Sequence, residues 1–164
     1  METSPSLTRA VLSAVSEPDA RRRLYTTSLS SFDPQPIGDF PESVGYPVWS
    51  PDERLVAVEI KDGSSTQAGI VDLSTGTLTR LTDERGQTWV RSWSPDGRKI
   101  AVAALRDSQW SLRWIDVRTA EQGEITSPGP PNVYVRYPAW SSRNDVVVFE
   151  RGELHGNIWM VPLS

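Results

Sequence analysis

Cysteine is absent from the 164 residues and histidine occurs once. The first absence excludes disulfides and thiolate metal sites without choosing a compartment, since exported proteins also do without cysteine. Together the two leave a metal only oxygen ligands, and no Asp-x-Asp-x-Asp-Gly loop is there to supply them, so neither metal nor cofactor is expected. No segment approaches the roughly 20 apolar residues of a membrane helix, and membrane insertion is not expected. Residues 1–20 do not read as a signal peptide, because Ala10-Val11-Leu12-Ser13-Ala14-Val15 is short, contains serine and has no Lys/Arg cluster ahead of it. The chain as written is therefore expected in the cytoplasm, or in the periplasm if the true start lies upstream. Positive charge is sparse as well. Seventeen Lys and Arg against 21 Asp and Glu give a net charge of -4 and a pI near 5.0, and the arginines are scattered apart from Arg21 to Arg23. Without a basic stripe to neutralise a phosphate backbone, nucleic acid is set aside as a partner.

What is present is a repeat. At 37% hydrophobic and 23% charged residues, the composition is that of a soluble globular domain. Tyr46-Pro47-Val48-Trp49-Ser50-Pro51-Asp52 returns as Val90-Arg91-Ser92-Trp93-Ser94-Pro95-Asp96, and more loosely as Tyr137-Pro138-Ala139-Trp140-Ser141-Ser142-Arg143. The tryptophans are 44 and then 47 residues apart, and the pairs Asp72/Asp116, Trp114/Trp159 and Leu81/Ile125 keep the same step. A period in the mid-forties with a tight turn after each tryptophan matches one four-stranded propeller blade.

Local chemistry fills in the blade. Ser94-Pro95-Asp96-Gly97 has the residues of a type I turn, which ends a strand A at Trp93 and starts a strand B at Lys99. Strand B then reads Lys99 to Leu105, Leu55 to Ile60 and Val146 to Phe149, runs so continuously apolar that they require cover on both faces. Strand C follows at Gly69 to Leu73 and Leu112 to Val117, and strand D at Thr77 to Thr82, which alternates like an outer strand. Further toward the amino terminus, Leu24 to Leu29 reads as a strand C and Gln35 to Ile37 as a strand D. Arg9 to Val15 fits either a degenerate strand B or a short amphipathic helix carrying Leu7, Val11 and Val15 on one face.

Trp-Ser-Pro-Asp-Gly followed by a β run, then Ile-x-Asp, a turn, and Leu-Thr or Ile-Thr, resembles the WD40-like (PD40-type) blade of TolB-like propellers. The resemblance covers residues 46–163 well and 3–40 weakly. It implies an all-β fold of about three to four four-stranded antiparallel blades in one propeller domain: a degenerate or partial first blade over 1–45, blades over 46–83 and 90–127, and a partial last blade over 137–164. Similar blades occur in periplasmic TolB, in the gating propeller of prolyl-oligopeptidase-like peptidases and in bacterial sensor modules. Such propellers usually have six blades, so an incomplete or open ring is expected, with no strand A in the first blade and self-association through its open ends.

Catalysis finds no support in the sequence. There is no Gly-x-Ser-x-Gly elbow, and His155 stands in the polar, Gly-rich Gly152-Glu153-Leu154-His155-Gly156-Asn157 between strands B and C. Trp49, Trp93 and Trp140 keep the repeat register and pack between blades, and Trp114 and Trp159 do the same on strand C. Trp110 begins a strand C after a polar loop, and Trp89 falls before strand A, in a connection opening toward the central channel. Ligands of propellers approach there, which makes Tyr46, Trp89, Arg91, Arg136 and Tyr137 the candidate partner-binding residues, with ordinary strand-edge packing as the competing reading. The function expected is a non-catalytic scaffold for a protein or peptide. The alternatives are a piece of a peptidase's gating propeller and a ligand-sensing module.

Overall fold

Each serine that follows the repeat-register position folds as the hinge between two antiparallel strands, and the hinges organise everything else. The computed structural model of the chain describes residues 1–16 and 20–155, whose regular structure is all β. The first blade comprises β1 (Glu2–Thr3), β2 (Arg9–Ser16), β3 (Arg21–Ser28) and β4 (Gln35–Pro36). The second comprises β5 (Ser43–Trp49), β6 (Leu55–Asp62), β7 (Ser65–Asp72) and β8 (Thr77–Arg80). In the third are β9 (Gln87–Trp93), β10 (Lys99–Arg106), β11 (Gln109–Asp116) and β12 (Gln122–Thr126). The described part of the fourth is the pair β13 (Val133–Trp140) and β14 (Val147–Glu153).

Within each blade consecutive strands pair antiparallel in chain order, and a single parallel bridge from Thr66 to Gln87 links the second blade to the third. The first strands of successive blades are neighbours, β1 with β5, β5 with β9 and β9 with β13, so they make the inner row of an arc of propeller blades. Among the described residues no ladder joins the first blade to the fourth.

Three features depart from the sequence reading or decide it. Glu2–Thr3 pairs with Val11 and Ala10, giving the first blade the inner strand that the sequence did not offer. Arg9–Ser16 is a strand rather than a helix, bonded on one side to β1 and on the other to β3. Trp89 lies inside the inner strand β9, not in the connection before it. Trp159 lies outside the described residues.

Among the described residues the hinge geometry occurs four times, at Ser4, Ser50, Ser94 and Ser141. The serine amide donates to the carbonyl five residues on, over 2.8 Å at Ser4, Ser94 and Ser141 and 2.9 Å at Ser50. The amide of that fifth residue returns a bond to the serine Oγ, over 3.3, 3.0, 2.9 and 3.3 Å in the same chain order as the serines. In three hinges the hydroxyl also donates to an aspartate, Ser50 to Asp52 at 2.7 Å, Ser94 to Asp96 at 2.6 Å and Ser141 to Asp145 at 2.7 Å, and the first two of these bonds hold the Asp52 and Asp96 carboxyls below their ordinary range. The fourth hinge position is left-handed every time, at Leu7 (φ 57°), Glu53 (58°), Gly97 (68°) and Asn144 (62°). Only glycine occupies that region without a Cβ penalty.

Cores lie between blades, not within them. Val56, Val58 and Ile60 of β6 pack with Val11, Leu24 and Phe40 of the first blade, while Ala57 of the same strand packs with Val90, Trp93 and Ile100 of the third. Ala103 and Leu112 meet Val135 in the next layer. The inner-row tryptophans pin these layers: Trp49 Nε1 donates to Glu2 O at 3.1 Å and Trp93 Nε1 to Val48 O at 2.9 Å. At the third seam Trp140 Nε1 is buried without an acceptor among the described residues, and Ser92 Oγ donates to Pro138 O instead, over 3.0 Å.

Two outcomes follow from these hinges and seams. Leu7→Gly, at an exposed position, raises the unfolding free energy by about 0.5–1 kcal/mol because relief of the left-handed strain exceeds the added chain entropy; urea titration at unchanged m-value measures it. Trp93→Phe costs about 1 kcal/mol more than Trp140→Phe, since only Trp93 gives up a hydrogen bond, the one to Val48 O. Equal losses in the two variants would remove the indole bond as a seam determinant.

Candidate functional site

Side chains two apart on an extended strand share a face, and on three strands that rule brings polar groups to one place. Glu59 and Lys61 of β6 stand opposite Gly45 and Ser43 of β5. Across from them, β9 presents Gln87, Trp89 and Arg91, and with Thr66, Tyr46 and Arg22 these residues line a cavity of about 500 Å³. The cavity sits in the seam between the second and third blades, with Arg22 reaching in from the first.

The inner strands are interrupted beside it. Pairing of β5 with β6 slips between Gly45 and Val48, where Pro47 has no N–H for the ladder and Tyr46 takes φ 51°. The slip recurs between Arg136 and Ala139 in β13, where Pro138 follows Tyr137 at φ 53°. In β9 the unpaired residue of the bulge is Arg91, between Val90 and Ser92. Bulges re-aim side chains. Here they turn Tyr46 and Tyr137 out of the sheet, 59% and 56% exposed.

Guanidinium groups cover these rings, with Arg22 5.2 Å from the Tyr46 centroid and Arg91 and Arg136 5.7 and 5.4 Å from that of Tyr137. Arg22 reaches Tyr46 because residue 45 is glycine: a Cβ there would overlap the Arg22 Cδ. Arg136 also lies 4.2 Å from the Tyr134 centroid and 3.2 Å from Glu150 Oε1. The Trp89 ring stacks on Trp110 at 5.0 Å and packs against the core between the third and fourth blades.

Of the residues singled out from sequence, Tyr46, Trp89 and Arg91 line the cavity, whereas Arg136 and Tyr137 stand on the next inner strand, joined to it by Arg91. Arg22, Glu59 and Lys61 escaped the sequence reading. Glu59 did leave a signal, a carboxylate within the apolar run Leu55 to Ile60. Its side chain is 6% exposed and its Oε1 is 2.9 Å from Arg91 Nη1. His155 is exposed, with Nε2 3.7 Å from Glu153, and does not line the cavity. Among the described residues no three His, Asp or Glu side chains gather to hold a metal ion.

No family model matches the chain. It is similar to Tol-Pal system protein TolB of Francisella tularensis subsp. mediasiatica, 32% identical over 102 residues that make up 59% of this chain and 23% of that protein. The chain thus spans about a quarter of the length of this curated relative. Among solved structures, TolB from Agrobacterium tumefaciens superposes with a TM-score of 0.77 at 23% identity, over 92% of this chain and 53% of that one. TolB from Acinetobacter baumannii gives 0.73 at 19%, over 90% and 36%. Dipeptidyl peptidase 4 of Porphyromonas gingivalis gives 0.67 at 15%, over 93% and 29%, a likeness of fold alone.

The buried carboxylate makes the seam sensitive to pH. Desolvation pushes the Glu59 carboxyl up to about 7, against the pull of Arg91, and burial moves Glu2 the same way, to about 7. An acid whose folded pKa lies above its unfolded value binds more protons in the native state, so stability falls as pH rises between the two. The penalty is absent below about 4.5 and complete above about 7, on the order of 3 kcal/mol for Glu59. Urea melts from pH 5 to pH 8 are expected to show this decline, and Glu59→Gln to reduce its slope while the share due to Glu2 remains. An unchanged slope in that variant would assign the dependence to other groups.

Proposed function

Because the chain is a run of TolB-like β-propeller repeats, we propose that it works as a non-catalytic scaffold that binds a protein or peptide along its inner strands. The observation that carries this reading is the row of bulges: Tyr46, Arg91 and Tyr137 stand at the bulges of three consecutive inner strands, the first two lining one cavity and Tyr137 beside it under the Arg91 guanidinium. Tyrosine and arginine are the residue types that concentrate binding energy in protein interfaces, and here the guanidiniums hold the rings in position, so little side-chain freedom is lost on binding. Trp89 and Arg136 extend the same surface to either side of Arg91.

Partners and compartment follow from this reading. Similarity to a Tol-Pal system protein favours an assembly of several proteins, and with it the periplasmic alternative over the cytoplasmic one. Self-association is a second outlet, because Val146, Val148 and Leu154 are exposed in and beside β14.

The test is peptide capture by the purified chain, followed by calorimetry with the captured sequence. Tyr46→Ala and Tyr137→Ala are each expected to weaken binding about tenfold or more while leaving the far-ultraviolet spectrum unchanged. Peptide hydrolysis by the purified chain, or binding indifferent to both substitutions, would overturn the proposal.

A further inference from the structure

The cavity in the seam between the second and third blades has an unbalanced lining. Arg22, Lys61 and Arg91 bring three cations, and Glu59 brings the one carboxylate. That carboxylate is engaged by Arg91 at 2.9 Å. Arg22 and Lys61 have no carboxylate partner among the described residues, and both belong to the wall built around Ser43. Lys61 is the cross-strand partner of Ser43, and the backbone amide of Arg22 donates to Ser43 Oγ over 3.0 Å. Two cations on separate blades therefore line one cavity, the Arg22 guanidinium lying over Tyr46 with Nη1 3.5 Å from Ser13 Oγ.

Resting on the reading of the chain as a binding module, we infer that this cavity takes an acidic segment of a peptide, a side-chain carboxylate of which is received between Arg22 and Lys61. Arg22 is fixed for the task, since its guanidinium lies 5.2 Å from the Tyr46 centroid and its stem passes over Gly45. An arginine held in place by packing gives up less freedom when it meets a carboxylate, and its planar fork donates two hydrogen bonds to that group. A volume of about 500 Å³ falls within the range of small-ligand sites, roughly 300–1,000 Å³, which is room for a few extended residues and not for a folded domain. A nucleic acid strand fits poorly by comparison, because the Trp89 ring, which a base would stack on, is already stacked on Trp110.

The experiment is calorimetric titration of the intact chain with three matched octapeptides, one rich in Glu, its Gln counterpart and its Lys counterpart, at low and moderate salt. The Glu peptide is expected to bind at least tenfold more tightly than the Gln peptide, and to weaken as salt screens the charges. Lys61→Gln, at an exposed position, should reduce that preference, and Lys61→Gln with Arg22→Gln should abolish it while binding of the Gln peptide persists. Arg22→Lys keeps the charge but not the fork and should recover only part of the preference. Glu and Gln peptides of equal affinity, or a preference for Lys, would overturn the acidic-ligand inference and leave the binding-module reading standing. Failure of all three peptides, together with failure of peptide capture, would remove both. Competition by inorganic phosphate as strong as that by the Glu peptide would mean that the site reads a bare anion, and would overturn the peptide assignment.

Discussion

A four-stranded sheet whose second strand is apolar on both sides cannot cover two faces by itself, and that constraint shapes this chain. Val56, Val58 and Ile60 need the first blade, and Ala57 on the same strand needs the third. The second and third blades are each half of two cores and owner of none. Stability then resides in contacts between neighbours, as in other repeat architectures. The inner-row indoles reinforce this by donating across the seam, Trp49 to Glu2 and Trp93 to Val48, so each buried donor is paired only when the preceding blade is present.

The same constraint explains where chemistry can appear. Apolar side chains fill the seams, and polar groups accumulate where the packing stops. Between the second and third blades Ala57 and Val90 are buried, but two residues further along β6 comes Glu59, and beyond it Lys61. Glu59 remains enough inside for burial to lift its carboxyl to about 7 and enough at the margin for Arg91 to reach it at 2.9 Å. The cavity thus inherits its position from the packing layer, while the inner-strand bulges decide which side chains face it.

Legibility in the sequence followed the range of the interactions. The Ser-Pro-Asp hinge could be read because serine and aspartate satisfy backbone groups within five residues of themselves. Strand B could be read because double cover leaves an unbroken apolar run. The extension of strand C back to Ser65 could not, because Thr66 and Gln67 are polar and yet buried. Gln67 is made tolerable only by Thr82, whose hydroxyl donates to it at 2.7 Å, and by Glu84 O at 2.6 Å, partners well downstream. Glu2–Thr3 was too short to register as a strand. In the cavity, Tyr46, Trp89 and Arg91 precede a repeat tryptophan and so drew attention, but Arg22, Glu59 and Lys61 depend on which residues face one another across strands and blades.

Gly45 gives that dependence its sharpest form. Its missing side chain belongs to the second blade, but the space it leaves is occupied by Arg22 of the first and opens on a cavity walled by the third. Positions 22 and 45 are therefore coupled in packing. Alter the glycine and the arginine loses its path; lose the arginine and the glycine has nothing left to accommodate. Repeat proteins diversify by copying and exchanging blades, but a blade transplanted alone would carry only a fraction of this pocket. Recombination that preserves it has to move adjacent blades together, so selection acting on the pocket would act on neighbours as a block.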